Sequence, residues 1–199
     1  MIAKLQFFKR CVFTVFFVTG MLHAQVETEG WHFRPQLGLW FGPVTPVPGS
    51  KLAEVLNTSL GGGMFFRGNL PTNTFRTELG FSYSYYTSNS PARLHTIPVY
   101  GAFVYTLPFN LPLSFFIKAG GGSMFLRNAP EGRRNWHPIG FAGFEMSFPA
   151  GKYINIGLRA DYFFVYEKYL SPPANNPNYV IYNGHFLNFG LMVNFNLTR

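Results

Sequence analysis

Charge is what this chain has least of. Asp, Glu, Lys and Arg make up 12% of its 199 residues, about half the ~25% of an ordinary soluble domain. That scarcity, beside abundant aromatics, excludes a disordered chain. It also excludes a coiled coil, which is built on Ala, Glu, Lys and Leu. Cysteine is nearly absent: Cys11 stands alone, so no disulfide framework exists. The mean hydropathy of +0.07 is too low for a bundle of membrane helices. Helical patterning is missing as well. The best candidate, Lys51 to Leu56, spans about a turn and a half.

What abounds is aromatic. There are 24 Phe, 11 Tyr and 3 Trp, with 21 Gly and 15 Pro. The first segment stands apart from the rest. Lys4, Lys9 and Arg10 precede the apolar stretch Cys11 to Leu22, which ends at Leu22-His23-Ala24 before a polar run. This order predicts a secretory signal peptide over residues 1–24. The stretch is shorter than the roughly 20 residues of a transmembrane helix. Cys11 opens the stretch rather than closing it, so it is not a lipid-anchor cysteine. Without residues 1–24, thirteen basic residues face eight acidic ones, and the formal charge falls from +8 to +5.

From there the period is two. Phe75, Thr77, Leu79, Phe81, Tyr83 and Tyr85 alternate with Arg76, Glu78, Gly80, Ser82 and Ser84. Strand side chains point alternately to opposite faces, so this segment has one apolar and one polar face. Ile154 to Phe164 and Leu187 to Leu197 repeat the pattern. Such runs of about 11 residues exceed the usual 5–6 of soluble strands and match a membrane-crossing strand. The template predicts eight strands, near 31–42, 57–67, 74–86, 94–107, 113–127, 137–148, 153–166 and 185–197. Short turns at 68–73, 108–112 and 149–152 should alternate with longer loops, as in outer-membrane barrels. The expected fold is all-β: an eight-stranded antiparallel up-and-down transmembrane β-barrel over residues 25–199, with both termini on the periplasmic side.

The apolar faces are large and aromatic; the opposite faces are small and glycine-rich, with Gly38, Gly61, Gly63, Gly80, Gly120, Gly122, Gly157 and Gly190. Closure is required in lipid, because every backbone polar group must find a partner there. Phe33, Phe66, Phe75, Tyr105, Phe148 and Phe195 are expected in a periplasmic aromatic girdle, and Phe41, Tyr83, Tyr85, Phe125, Tyr162 and Phe164 in an outer one. Arg34, Arg67, Arg76, Lys118 and Arg159 take inward positions together with Glu78, Glu145 and Asp161. Unpaired buried charge is costly, so these eight are expected to form one linked ion-pair network that plugs the lumen.

Three stretches resemble the small eight-stranded outer-membrane barrels of the OmpA/OmpX type. Ile97-Pro98-Val99-Tyr100-Gly101 with Ala102 to Leu107 looks like that family's fourth strand, and Phe116-Ile117-Lys118-Ala119-Gly120-Gly121-Gly122 like its fifth. Gly190, Val193 and Phe195 fit the terminal pattern read by the barrel-assembly machinery, although the chain continues to Arg199. The resemblance implies a bacterial outer-membrane protein in contact with membrane lipids.

Other motifs weigh little. Gly61-Gly62-Gly63 and Gly120-Gly121-Gly122 lack the Lys-Ser/Thr and helix of a phosphate loop. His32, His95, His137 and His185 have no metal-ligand spacing, though the last three lie near outer strand ends and could converge. A lipid hydrolase could pair His185 with Glu167 or His95 with Ser88, but no spacing favours either. Arg93, Arg127, Arg133 and Arg134 form a basic outer rim beside Glu131, suited to anionic headgroups or an anionic host ligand. Proline-stiffened loops around Pro46, Pro48, Pro172, Pro173 and Pro177 are where surface recognition would reside. The expectation is a monomeric, non-enzymatic barrel without cofactor, metal or nucleic acid, serving membrane integrity or surface interaction. A narrow conduit for small hydrophobic solutes, using Trp40, Phe65, Phe116 and Phe163, is the alternative, with a lipid-modifying hydrolase and a soluble lipocalin-like barrel behind it.

Overall fold

The period-two segments become eight antiparallel strands that pair in sequence order and close on themselves. The structure, a computed structural model, describes residues 33–50, 52–71, 74–88, 93–109, 111–129, 134–166 and 183–198. The expected signal peptide, His32, Glu131, Arg133, Glu167 and Pro172 to Pro177 lie outside those residues. The strands are β1 (Gln36–Pro46), β2 (Ser59–Asn69), β3 (Phe75–Thr87), β4 (Arg93–Thr106), β5 (Ser114–Ala129), β6 (Arg134–Pro149), β7 (Ile154–Val165) and β8 (Gly184–Asn196).

The register fixes the shape. Partners followed once round the barrel run Gln36, Arg67, Glu78, Ala102, Gly120, Phe141, Phe163, Phe186 and back to Pro46. The path returns to β1 ten residues higher, from position 36 to position 46. For eight strands with a rise of ~3.3 Å and a spacing of ~4.8 Å, that stagger tilts the strands by about 41°. A cylinder of this size has no open bore; its interior is filled by side chains.

Outward positions form an apolar belt. Leu79, Phe103 and Leu191 are each 66% exposed, and Phe81, Val99, Ile117, Phe144, Leu158 and Phe189 lie among them. Soluble monomers rarely expose contiguous apolar patches beyond a few hundred Å², so this surface is built for hydrocarbon rather than water. Glycine lets neighbouring strands approach. A Cβ on Gly120 or Gly122 would overlap the backbone of β4 at Gly101 or Val99.

β1 is shifted along the chain, and one loop is shorter than expected. β1 begins at Gln36 instead of near 31 and continues to Pro46 instead of stopping near 42. Pro43 removes a donor on the β8 side, where the ladder breaks between Phe41↔Leu191 and Val44↔Asn188, yet the register is the same above and below. Phe41 therefore sits mid-strand in the belt, not in the outer girdle. Pro98 interrupts the β3–β4 ladder in the same way, between Phe81↔Val99 and Ser84↔Thr96. The connector between β5 and β6, expected to be long, is only residues 130–133. β5 is lengthened because Asn128 and Ala129 still pair with Leu94 and Arg93 of β4. The remaining outer connectors are residues 47–58, 88–92 and 166–183.

The first outer loop carries the expected helical turn as a single turn, closed by Val55 N–H and Leu56 N–H donating to the Leu52 carbonyl at 3.1 and 2.8 Å. It seats Leu56 in the outer mouth, where Leu56 bridges to Ser88 and packs on the core with Leu52. Replacing Leu158 by Arg, on the lipid face of mid-β7, should cost roughly 2–4 kcal/mol, whereas Leu197→Arg, beyond the end of β8, should cost ~1 kcal/mol or less. Reversible denaturant unfolding in lipid vesicles reads both; equal costs would mean that the belt is misplaced.

Candidate functional site

The site is the lumen, and it has three storeys. At the periplasmic end is a polar recess of about 80 Å³ walled by every strand but β4, lined by Arg67, Arg76, Ser114, Ser147, Asn155 and Asn194 among others. Above it lies a layer of charge. Above that, toward the outer mouth, the interior is an apolar core.

The charged layer follows from register. Arg67 and Glu78 are direct cross-strand partners on β2 and β3, and Glu145 and Arg159 are partners on β6 and β7. Lys118 and Asp161 are one strand further apart, each paired with Gly143 on the strand between them. Gly143 makes their meeting possible: a Cβ there would fall onto Asp161 Oδ1 and within 2.7 Å of Lys118 Cε. Lys118 Nζ lies 2.9 Å from Asp161 Oδ1 and 2.7 Å from Glu145 Oε1. Arg67 Nη2 donates to Glu145 Oε2 at 2.6 Å and also to Glu78. Arg159 donates to Glu78 Oε1 at 2.9 Å and to Asp161, and its Nη1 lies 3.2 Å from Glu145 Oε1.

Three cations thus meet three anions. Of their nine possible pairs only Arg67–Asp161 is not in contact; the others lie at 3.7 Å or less. All six side chains are buried, none more than 3% exposed as a residue. The formal charge of the layer is zero, which is the condition for holding ions out of water.

Two residues expected in this network stand apart from it. Arg34 precedes β1 at the exposed rim, where its backbone N–H donates to Asn69 Oδ1 at 2.6 Å. Arg76 lies in the recess and donates to the neutral Gln36 Oε1 at 3.0 Å. Its register partner is Asn69, which puts it two residues below Glu78 on the same face, toward the periplasm.

Aromatic rings enclose the ions. Arg159 Cζ and Arg67 Cζ lie 4.5 and 5.0 Å from the Phe65 ring centroid, and Lys118 Nζ lies 5.3 Å from that of Phe141. Tyr100, above Gly80, donates to Glu78 Oε1 at 3.2 Å and accepts from Arg159. Sequence reasoning missed Tyr100 and Phe141 as lumen residues, although each shares strand parity with an inward neighbour. Tyr100 stacks on Phe141 at 4.4 Å, and Phe163 packs against both. Trp40, Val44, Tyr86, Met124, Ile139, Val165 and Phe186 continue this core to the mouth. The upper lumen is therefore filled mainly by rings, with the buried polar side chains of Ser82, Ser84, Thr96, His137 and Asn188 set among them.

The outer histidines do not converge. His137 points inward and is buried, whereas His95 and His185 face outward, bonded through Nδ1 to the hydroxyls of Tyr83 at 2.8 Å and Tyr162 at 2.7 Å. Among the described residues no metal-ligating cluster exists.

The basic rim is a row. Tyr85, His95, Arg127 and Arg134 are successive cross-strand partners over β3 to β6. Arg93 is two residues above His95 on the same face. Beneath the row lie Ile97, Phe125 and Trp136, the last two rings 5.4 Å apart. Arg93, Arg127 and Arg134 are exposed, and none makes an ion pair among the described residues. In the terminal pattern, Val193 and Phe195 share the outward face of β8 with Leu191, and Gly190 lies on the inward side against Trp40 and Phe41.

The fold is that of the small eight-stranded outer-membrane barrels. Neisserial surface protein A superposes with a TM-score of 0.52 over 82% of this chain and 96% of its own, at 10% identity. OprG of Pseudomonas aeruginosa matches with a TM-score of 0.44 (84% and 95% covered, 10% identity), and Ail of Yersinia pestis with 0.44 (83% and 97%, 11%). No family model and no curated protein matches the sequence.

Replacing Glu145 by Gln should destabilise the barrel by about 3–5 kcal/mol, because it strands buried cations. Gly143→Ala should also destabilise, by forcing Lys118 from Asp161. Urea unfolding in detergent or lipid measures both; a Glu145→Gln cost below about 1 kcal/mol would refute the network as a structural element.

Proposed function

We propose that the protein works as a monomer in the bacterial outer membrane, as a closed barrel whose lumen is a structural plug and whose partners meet it from outside. The observation that carries this reading is the double seal. A neutral ionic layer blocks the lower lumen, and an aromatic core fills the upper lumen under Leu56. The apolar section considered for a solute conduit is packed: Trp40, Phe65, Phe116 and Phe163 are all buried core residues. Function then falls to the membrane-integrity and surface roles open to a rigid scaffold with loops. Val193 and Phe195 would present the insertion signal to the assembly machinery along the outer face of β8.

The outer row supports the second half of the proposal. Arg127 and Arg134 stand directly opposite each other, an arrangement that is unfavourable without an anion. Together with Arg93 they sit just above an aromatic band, where phosphate-bearing headgroups or an anionic surface ligand would lie. No reaction is assigned: His95 and His185 are engaged by tyrosines.

The test has two arms. Protein reconstituted in planar bilayers should give no unitary current steps; regular steps would overturn the closed reading. Arg127→Glu with Arg134→Glu should reduce binding of anionic headgroup analogues severalfold while leaving folding and conductance as they are.

A further inference from the structure

The charge count of the lumen leaves one cation over. Arg67, Lys118 and Arg159 are matched by Glu78, Glu145 and Asp161, and Arg76 is not. Its guanidinium is enclosed by the recess, its nearest polar partner is a neutral amide, and its Nε has no hydrogen-bond acceptor. Arg67, though its charge is matched, adds a second unfilled donor. It is 1% exposed and lines the same recess, and its Nη1 also lacks an acceptor although Nη2 and Nε are engaged. The two guanidinium carbons lie 5.4 and 5.5 Å from the centroid of one ring, that of Phe116. No carboxylate lines the recess. A half-buried cation with an unfilled donor and no carboxylate beside it is a costly arrangement, and guanidinium forks suit oxyanions.

We propose that this periplasmic recess is a binding site for one small oxyanion, a phosphate or a free carboxylate, held between Arg76 and Arg67. The recess, of about 80 Å³, has room for a small group beside the guanidinium forks, well above the roughly 10–15 Å³ of such volume that one water needs. Ser114, Ser147 and Asn155 supply hydroxyl and amide groups around it. The bound anion would supply the negative charge that Arg76 lacks.

The experiment titrates inorganic phosphate, acetate and chloride, at matched ionic strength, into the folded protein in detergent micelles and follows heat. Saturable binding of phosphate or of acetate, but not of chloride, is expected. Whichever saturates at lower concentration identifies the source chemistry. Arg76→Gln should weaken that binding at least tenfold. Asn194→Asp, which builds a carboxylate into the recess wall, should do the same by an independent route and without removing a cation. Unboiled gel mobility checks that each variant is folded. The proposal fails if phosphate and acetate behave like chloride in the native protein. It also fails if binding survives undiminished in the folded variants.

Discussion

A cylinder of eight strands with a stagger of ten residues closes around a space that only side chains can fill, and everything inside it must be neutral or dry. The rest of the structure follows from that constraint. The lower half of the lumen is solved with ions, in a layer of zero formal charge. The upper half is solved with rings. Glycine is placed where two long side chains have to meet, as at Gly143 between Lys118 and Asp161, or where a large ring needs cover, as at Gly80 under Tyr100. The outward face carries the apolar residues that a soluble protein would bury.

The ionic layer is better understood as a specifier of register than as a source of stability. Buried ion pairs commonly gain little over apolar replacements, while a broken pair is severely penalised. Arg67 meets Glu78, and Arg159 meets Glu145, only in the observed pairing. A slip of one residue would turn each of them toward hydrocarbon. The layer draws on five strands, β2, β3, β5, β6 and β7, so it ties most of the circumference to a single alignment.

Much of this could be read in the sequence, because period two sorts faces without knowledge of the partner strand. The inward position of all six network residues and the outward position of Leu79, Leu158 and Leu191 came from alternation alone. What alternation lacks is height. Whether Arg76 joins Glu78 and Arg159 or lies below them depends on the stagger between strands, which no single strand encodes. The same gap hid the course of β1, where Pro43 resembles a terminator but costs only ladder bonds on one side. The upper core was obscured for another reason. In Tyr162-Phe163-Phe164-Val165 both faces are apolar, so the inner rings resemble the lipid-facing ones. Tyr100 and Phe141 belong to the same class.

The broken ladder between β1 and β8 bears on how the barrel comes together. Seven of the eight strand pairs join neighbours in sequence through connectors of at most 18 residues. The eighth joins Gln36 to Asn196, 160 positions away, and it alone must wait until the sheet has curled round. Contacts so distant along the chain are entropically the dearest to form, and here they must form at a seam that Pro43 leaves short of a donor. The last joint to close thus also carries a break in its ladder, and the amides flanking that break should exchange with solvent deuterium ahead of those in the middle of β5 and β6.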